Sequence, residues 1–298
     1  MSLHYIEAIG ASFVAKKEEI LSTHKNATCI PWIYSHSVQS NLSPLSQIKN
    51  IIAVASGKGG VGKSTIAFNL ATTLAAAGLS VGLLDADIYG PSLPILTGIS
   101  EKVQVSEEKK FIPHRYAGLS LISIGHLVAP ESALAWRGPM ASGALMQLFT
   151  QTAWPSLDFL IVDLPPGTGD LLLTLCQKIP LTGVITVTVN HPLVKADVDR
   201  SHQMFQKLGI TQLGTVLNMF HDFQQDLINN NQDILAKFPY SIEILQGTSQ
   251  TDPLGVKYPE SIITRQFELL AENVIDRVSE LPLAAKIPTS ILKNSINS

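Results

Sequence analysis

Two cysteines, Cys29 and Cys176, are all that 298 residues contain. So few thiols give no disulfide framework and suit a reducing compartment. Charge is scarce too: 15% of residues are Asp, Glu, Lys or Arg, and a formal charge of −3 leaves no basic excess to attract nucleic acid. Long hydrophobic runs are missing. The longest, Leu157 to Leu164 and Gly183 to Val189, are strand-length, against about 20 residues for a membrane span. The opening residues, with His4, Glu7 and the short run Ala8 to Ala15, lack the basic leader and longer apolar core of a secretory signal. These absences lead us to expect a cytoplasmic globular protein that works without membrane or nucleic acid. What is plentiful is apolar: 45% of residues are hydrophobic. A chain of this length can bury about three quarters of its unfolded surface, in one or two domains.

Residues 1–47 stand apart. A possible amphipathic helix from Tyr5 to Leu21 leads into a Ser/Asn/Pro-rich stretch (SHSVQSNLSPLSQ) that reads as a linker, so we expect an N-terminal extension or partial small domain before a main domain over 48–298. From Ile51 onward apolar strand-like and amphipathic helix-like segments alternate. Strands are expected at 51–56, 80–85, 119–124, 158–163, 183–189 and 213–218, and helices near 64–77, 140–153, 195–208 and 261–279. The strands lack polar alternation, which argues for a mainly parallel, doubly wound α/β sheet covered by helices on both faces. Ligands bind such sheets at the carboxyl ends of the strands.

The chemistry-bearing residues cluster at those ends. Ile51 to Ala55 reads as a buried strand, Thr65 to Ala77 as a helix, and between them Gly57, Gly62, Lys63 and Ser64 complete G-x-x-x-x-G-K-[ST]. In that pattern glycines let the backbone curl so that N–H groups face a phosphate at a helix N-terminus. Gly57, Gly59 and Gly62 also spell G-x-G-x-x-G, with Asp85 at the end of the next strand, roughly where a dinucleotide fold holds its ribose. Lys63-Ser64 directly after the last glycine favours a triphosphate with magnesium instead. The second strand ends in Asp85-Ala86-Asp87, whose acids can organise magnesium and an attacking water, or cap a turn. Gly90-Pro91 behind them suits a mobile switch loop. The strand Phe159 to Val162 delivers Asp163, the Walker B arrangement, followed by Pro165-Pro166-Gly167-Thr168-Gly169-Asp170 as a γ-phosphate sensor.

Lys58 is a second lysine inside the loop. Gly59-Gly60 beside it free the backbone to present it outward, toward another subunit's phosphates. A cation supplied in trans acts as an arginine finger does, for about 10³ to 10⁵ in rate.

The run Gly57-Lys58-Gly59-Gly60-Val61-Gly62-Lys63-Ser64-Thr65 resembles the deviant Walker A loop of the MinD/ParA-type ATPases, with Lys58 the signature lysine. Within that group the chain is similar to the Mrp/ApbC iron-sulfur cluster carriers. The match rests also on Ile48 to Ser56, Gly82 to Ser92, Trp136-Arg137-Gly138-Pro139-Met140 and Asp163 to Asp170, four blocks in order over residues 48 to about 280. The resemblance implies ATP bound by Gly57 to Thr65, with Lys63 on the terminal phosphates and Ser64 on Mg2+. It implies further that Asp87 orients the attacking water, Asp163 supports the metal and Asn218 reads the adenine. It also implies homodimers that enclose ATP, a [4Fe-4S] cluster as cargo, and apo-protein clients.

Three departures stand out. The family's C-x-x-C pair, which lets two subunits offer four thiolates to one cluster, belongs a few residues after Asn218-Met219, where this chain reads Phe220-His221-Asp222-Phe223 and has no cysteine. Soft thiolates are what such a cluster selects, so its ligands are not identifiable here. Cys176, in an apolar helical stretch, reads as an inert core thiol and Cys29 as incidental. Asn190-His191-Pro192 with Lys195 replaces the family's Thr-Pro-Gln and small residue, and the 47 N-terminal residues represent only part of the small domain found in many relatives. His114, His126, His191, His202 and His221 lack ligand spacing, and the helix from Arg265 to Leu281 reads as core-docked. Further on, Ile291-Leu292-Lys293-Asn294 does not make the basic amphipathic end of a membrane-targeting tail.

Overall fold

The computed structural model describes residues 33–39, 41–127, 138–220, 233–242, 244 and 252–284. The expected helix Tyr5 to Leu21, Cys29, Trp136 with Arg137, and His221 with Asp222 lie outside them.

Eight strands form one sheet. They are β1 (Ile48–Ala55), β2 (Val81–Asp85), β5 (His114–Tyr116), β6 (Leu119–Ser123), β7 (Leu157–Asp163), β8 (Gly183–Val189), β9 (Gln212–Phe220) and β10 (Ile234–Pro239). A separate hairpin pairs β3 (Gln104–Val105) with β4 (Phe111–Ile112). The order across the sheet is β10-β9-β8-β1-β7-β2-β6-β5, parallel throughout except for β5, which runs antiparallel to β6. The longer helices are α1 (Lys63–Ala76), α3 (Gly138–Gln151), α4 (Asp170–Lys178), α5 (Pro192–Lys207) and α7 (Ile262–Ser279), with short α2 (Leu93–Thr97) and α6 (Leu254–Lys257) between them. The doubly wound α/β reading holds.

Side chains of β1 alternate between two cores because successive Cβ atoms point to opposite faces. Ile52 and Val54 join the apolar faces of α1 and α7, whereas Ile51, Ala53 and Ala55 join those of α3 and α4. Such a strand is apolar on both faces, which is why it reads as a continuous run. The core-docked helix is α7, whose Phe267, Leu270, Val274, Ile275 and Val278 are all buried. Its Asn273 reaches the edge strand β10 and donates to Leu235 O at 2.7 Å.

β10 was not expected. Lys237 in mid-run and Pro239 at its end break the apolar signal, and both are features of an edge strand.

The polar stretch expected as a linker is fastened to the sheet. Asn50, fully buried in β1, donates to Tyr34 O at 2.8 Å, while Ser37 N donates to Pro282 O and Ala284 N to Ser35 O, each at 2.9 Å. Buried Gln39 donates to Cys176 O at 3.0 Å and Ile179 O at 3.3 Å, and accepts from Leu181 N at 2.8 Å. One amide therefore satisfies three backbone groups at the end of α4. Gln39→Ala leaves them unpaired and is expected to lower unfolding free energy by about 2–3 kcal/mol, measured by urea denaturation.

Candidate functional site

Register brings the site together. Val54 of β1 lies opposite Asp163 of β7, and Asp163 opposite Asp85 of β2, so the loop after β1 and the acids at two neighbouring strand ends share one crevice. The loop over 56–62 wraps into α1, whose first turn has no side-chain cap, so its N–H groups face outward. Gly62 has φ +85°, a left-handed conformation, and an added Cβ there would lie 2.3 Å from Asn218 Nδ2. Only glycine fits. Asn218, at the end of β9, clasps the loop by donating to Val61 O at 2.8 Å. Ser56 Oγ donates to Lys58 O at 2.9 Å, and Gly167 N to Ser56 O at 2.8 Å, joining the loop after β7 to the phosphate loop.

These walls enclose about 360 Å³, lined by Lys58, Gly59, Gly60, Gly62, Lys63, Ser64, Thr65, Asp87, Pro166 and Met219 among others. Gly57, Val61, Asp163 and Asn218 are not in the lining. Val61 points into the core, Asp163 stands behind Lys63, and Asn218 acts through the loop backbone. Lys63 is buried in an ion pair with Asp163, with Asp87 Oδ2 4.0 Å away and Ser64 Oγ at 3.5 Å. Two carboxylates on one ammonium offset its charge. Burial raises the Asp87 carboxyl above its ordinary range, Lys63 opposes that rise and Asp163 adds to it. Lys58, by contrast, is exposed and makes no ion pair with any described residue.

Asp85 and Asp87 divide the two roles left open by the sequence. Asp85 is fully buried and accepts from Asp87 N, Ser92 N, Leu93 N and Ser123 Oγ, at 2.9–3.1 Å. It caps the turn and has no free face for a metal. Burial pushes its carboxyl up to about 7, with Asp163 adding to the rise. Asp87 alone of the two faces the cavity.

Pro166 of the expected γ-phosphate sensor lines the site, and so does Met219, to which the sequence assigns no role. Met219 sits in the left-handed region at φ +52°, and no sequence signal marks that in a methionine. Asn218 Oδ1 is buried and accepts no hydrogen bond from any described residue.

Among the described residues no group of three His, Cys, Asp or Glu could hold a metal ion. The His114 and His126 rings meet edge-on at 4.6 Å. His126 Nδ1 accepts from Ser123 N, so in the neutral ring Nε2 carries the proton and is no ligand. Cys176 lies in the core face of α4, 1% exposed, and burial pushes its thiol up to about 12. It is not a thiolate near neutral pH. Of the departures in sequence, Asn190 is buried and His191 exposed; Met140, from a block that carries the resemblance, stands 62% exposed near the start of α3. No helix among the described residues is long and apolar enough to cross a membrane.

A phosphate loop after the central strand of a doubly wound sheet, with two carboxylates converging on its lysine, defines a P-loop NTPase. Comparison with known proteins narrows the class. Residues 47–275 match the ParA-group family described as NUBPL iron-transfer P-loop NTPase. The chain is 39% identical over 276 residues to an iron-sulfur cluster carrier protein of Pseudomonas fragi, covering 87% of this chain and 96% of that one. Among solved structures it is similar to the nucleotide-binding protein of Archaeoglobus fulgidus in complex with ADP, with 30% identity and a TM-score of 0.59 over 74% of this chain and 95% of the other. The septum site-determining protein MinD of Pyrococcus horikoshii, complexed with Mg-ADP, shares the fold at 22% identity and a TM-score of 0.63, over 80% and 99% of the two chains. This chain belongs to the NUBPL iron-transfer P-loop NTPase family.

Proposed function

We propose that this protein is a magnesium-dependent ATPase that works as a cytoplasmic homodimer in iron-sulfur cluster carriage, delivering clusters to apo-proteins. The observation that carries the ATPase part is the buried Lys63, held between Asp163 and Asp87 under an uncapped helix N-terminus. Entry of the terminal phosphates gives Lys63 a stronger anionic partner, and it leaves Asp163. The freed carboxylate, with Ser64 Oγ and Asp87, would be the hard oxygen donors that hold Mg2+. The chemistry such an ion would supply is neutralisation of charge on the β and γ phosphates. Asp87, which lines the same cavity, also orients the attacking water. Asn218 Oδ1 is the acceptor for the adenine amino group. Exposed Lys58 reaches the phosphates of the second subunit.

Cluster carriage is supported by the family and by the relatives' names. The described thiol does not fit the cargo: Cys176 is buried and protonated, and no cysteine follows it in the sequence. That observation favours a second reading, a cluster-free dimeric adaptor whose nucleotide state recruits a protein partner. Anaerobic incubation with iron and sulfide separates the two. Carriage on the chain's own thiols gives stoichiometric iron per dimer and visible charge-transfer absorbance, abolished by Cys29→Ser and untouched by Cys176→Ser. No stoichiometric iron, in protein that still binds ATP, leaves the adaptor.

A further inference from the structure

The loop that carries Asp87 is clasped at both ends by one carboxylate. Asp85 Oδ1 takes the Asp87 amide at 3.1 Å, and Oδ2 takes the amides of Ser92 and Leu93 at 2.9 and 3.1 Å. The residues between are thereby closed into a ring on the end of β2. Ser123 anchors that ring to the sheet, because β2 and β6 pair with Asp85 directly across from Ser123 and its Oγ donates to Asp85 Oδ2 at 2.9 Å. The same hydroxyl accepts from Gly125 N at 3.0 Å, which holds the turn after β6 in place. Pro91 and Pro94 pack on that turn, and an added Cβ on Gly125 would meet them at 3.0–3.2 Å. Loop, carboxylate and turn form one hydrogen-bonded unit, with Asp85 and Ser123 buried at its centre and Tyr89 and Gly90 exposed at the loop's tip.

We infer that Asp85 and Ser123 are positioning residues, whose hydrogen-bonded clasp fixes the 87–93 loop so that the Asp87 carboxylate faces Lys63 and the phosphate cavity. Ser123 is fully buried and does not line that cavity, so it acts on Asp87 only through Asp85. The direction of Asp87 follows from the clasp: its amide is held at Asp85 Oδ1, which leaves its side chain on the cavity side, 4.0 Å from Lys63 Nζ. Loss of the Ser123 hydroxyl removes one of four donors from a buried carboxylate and frees the loop to wander. Orientation of a catalytic group is sensitive to shifts of about 1 Å, which cost up to about a hundredfold in rate.

This inference rests on the ATPase reading for its catalytic half, so the test has two arms on the full chain. Hydrogen exchange reads the clasp without reference to hydrolysis. In Ser123→Ala the amides of Asp87, Ser92 and Leu93 are expected to exchange about tenfold faster, with those of β1 and β7 unchanged. Steady-state hydrolysis reads the positioning. In Ser123→Ala kcat is expected to fall ten- to about a hundredfold, with affinity for a fluorescent ATP analogue held within about threefold, and Ser123→Thr restores the rate. Unchanged exchange at those amides, or unchanged kcat in Ser123→Ala, overturns the inference. So does a parallel loss of kcat and affinity with a lowered melting temperature. A wild-type protein that binds but does not hydrolyse ATP removes the ATPase reading instead, and the exchange arm still decides the clasp.

Discussion

Lys58→Ala is expected to bind ATP as the wild type does and to hydrolyse it about 10³- to 10⁵-fold more slowly, or about 4–7 kcal/mol in the barrier. Binding survives because the loop is held by the Lys58 carbonyl, which accepts from Ser56 Oγ, and not by its side chain. That side chain is exposed and has no carboxylate partner among the described residues, so its charge is free to act on another subunit. Phosphate release measures the rate, and titration of a fluorescent nucleotide measures binding. Hydrolysis by Lys58→Ala at the wild-type rate would falsify the proposal. Mixing adds a second check. Lys58→Ala and Asp87→Ala are each inactive, but a mixed dimer has one site with an intact Asp87 and a lysine from its neighbour. Random pairing is expected to recover about a quarter of wild-type activity, whereas a lysine acting in its own subunit recovers none.

Lys63→Ala is expected to abolish ATP binding and to destabilise the protein before any nucleotide is added. The Lys63 side chain is 6% exposed and that of Asp163 3%, so its removal strands one buried carboxylate and leaves Asp87 with a burial penalty that no cation offsets. Breaking a buried pair in this way costs about 3–5 kcal/mol. Urea denaturation measures the loss. The double variant Lys63→Ala with Asp163→Asn is expected to regain much of that stability, because the charge left unpaired is gone, while nucleotide titration stays flat. A single variant as stable as the wild type would mean that the Lys63 to Asp163 pair contributes nothing to the unliganded fold.

How far the site was legible depended on how local its causes are. The phosphate loop is a matter of backbone freedom over a few residues, and Gly62 at φ +85° is the position where the sequence pattern and the structure coincide most directly. Asp163 was legible for a related reason: four apolar residues run straight into an acid, which marks the end of a buried strand. From spacing alone Asp85 and Asp87 could not be told apart, since both follow the same strand and either could cap or ligate; the family resemblance was what singled out Asp87. The choice lies in β6, where pairing sets Ser123 across from Asp85. Gln39 was hidden more thoroughly, because its partners are 137 to 142 positions away and its neighbours spell a linker.

The sequence alone determined the class of fold, the phosphate loop with its two lysines, the acids at the strand ends, and the lack of a thiol pair. Each is a property of a short segment or of composition, readable wherever the chain happens to fold. Tertiary structure decided by its geometry that Asp87 and not Asp85 faces the cavity, that Lys63 waits on Asp163, and that the polar stretch before β1 is bound to the sheet. Those outcomes depend on strand register and burial, which place together residues that share no sequence neighbourhood.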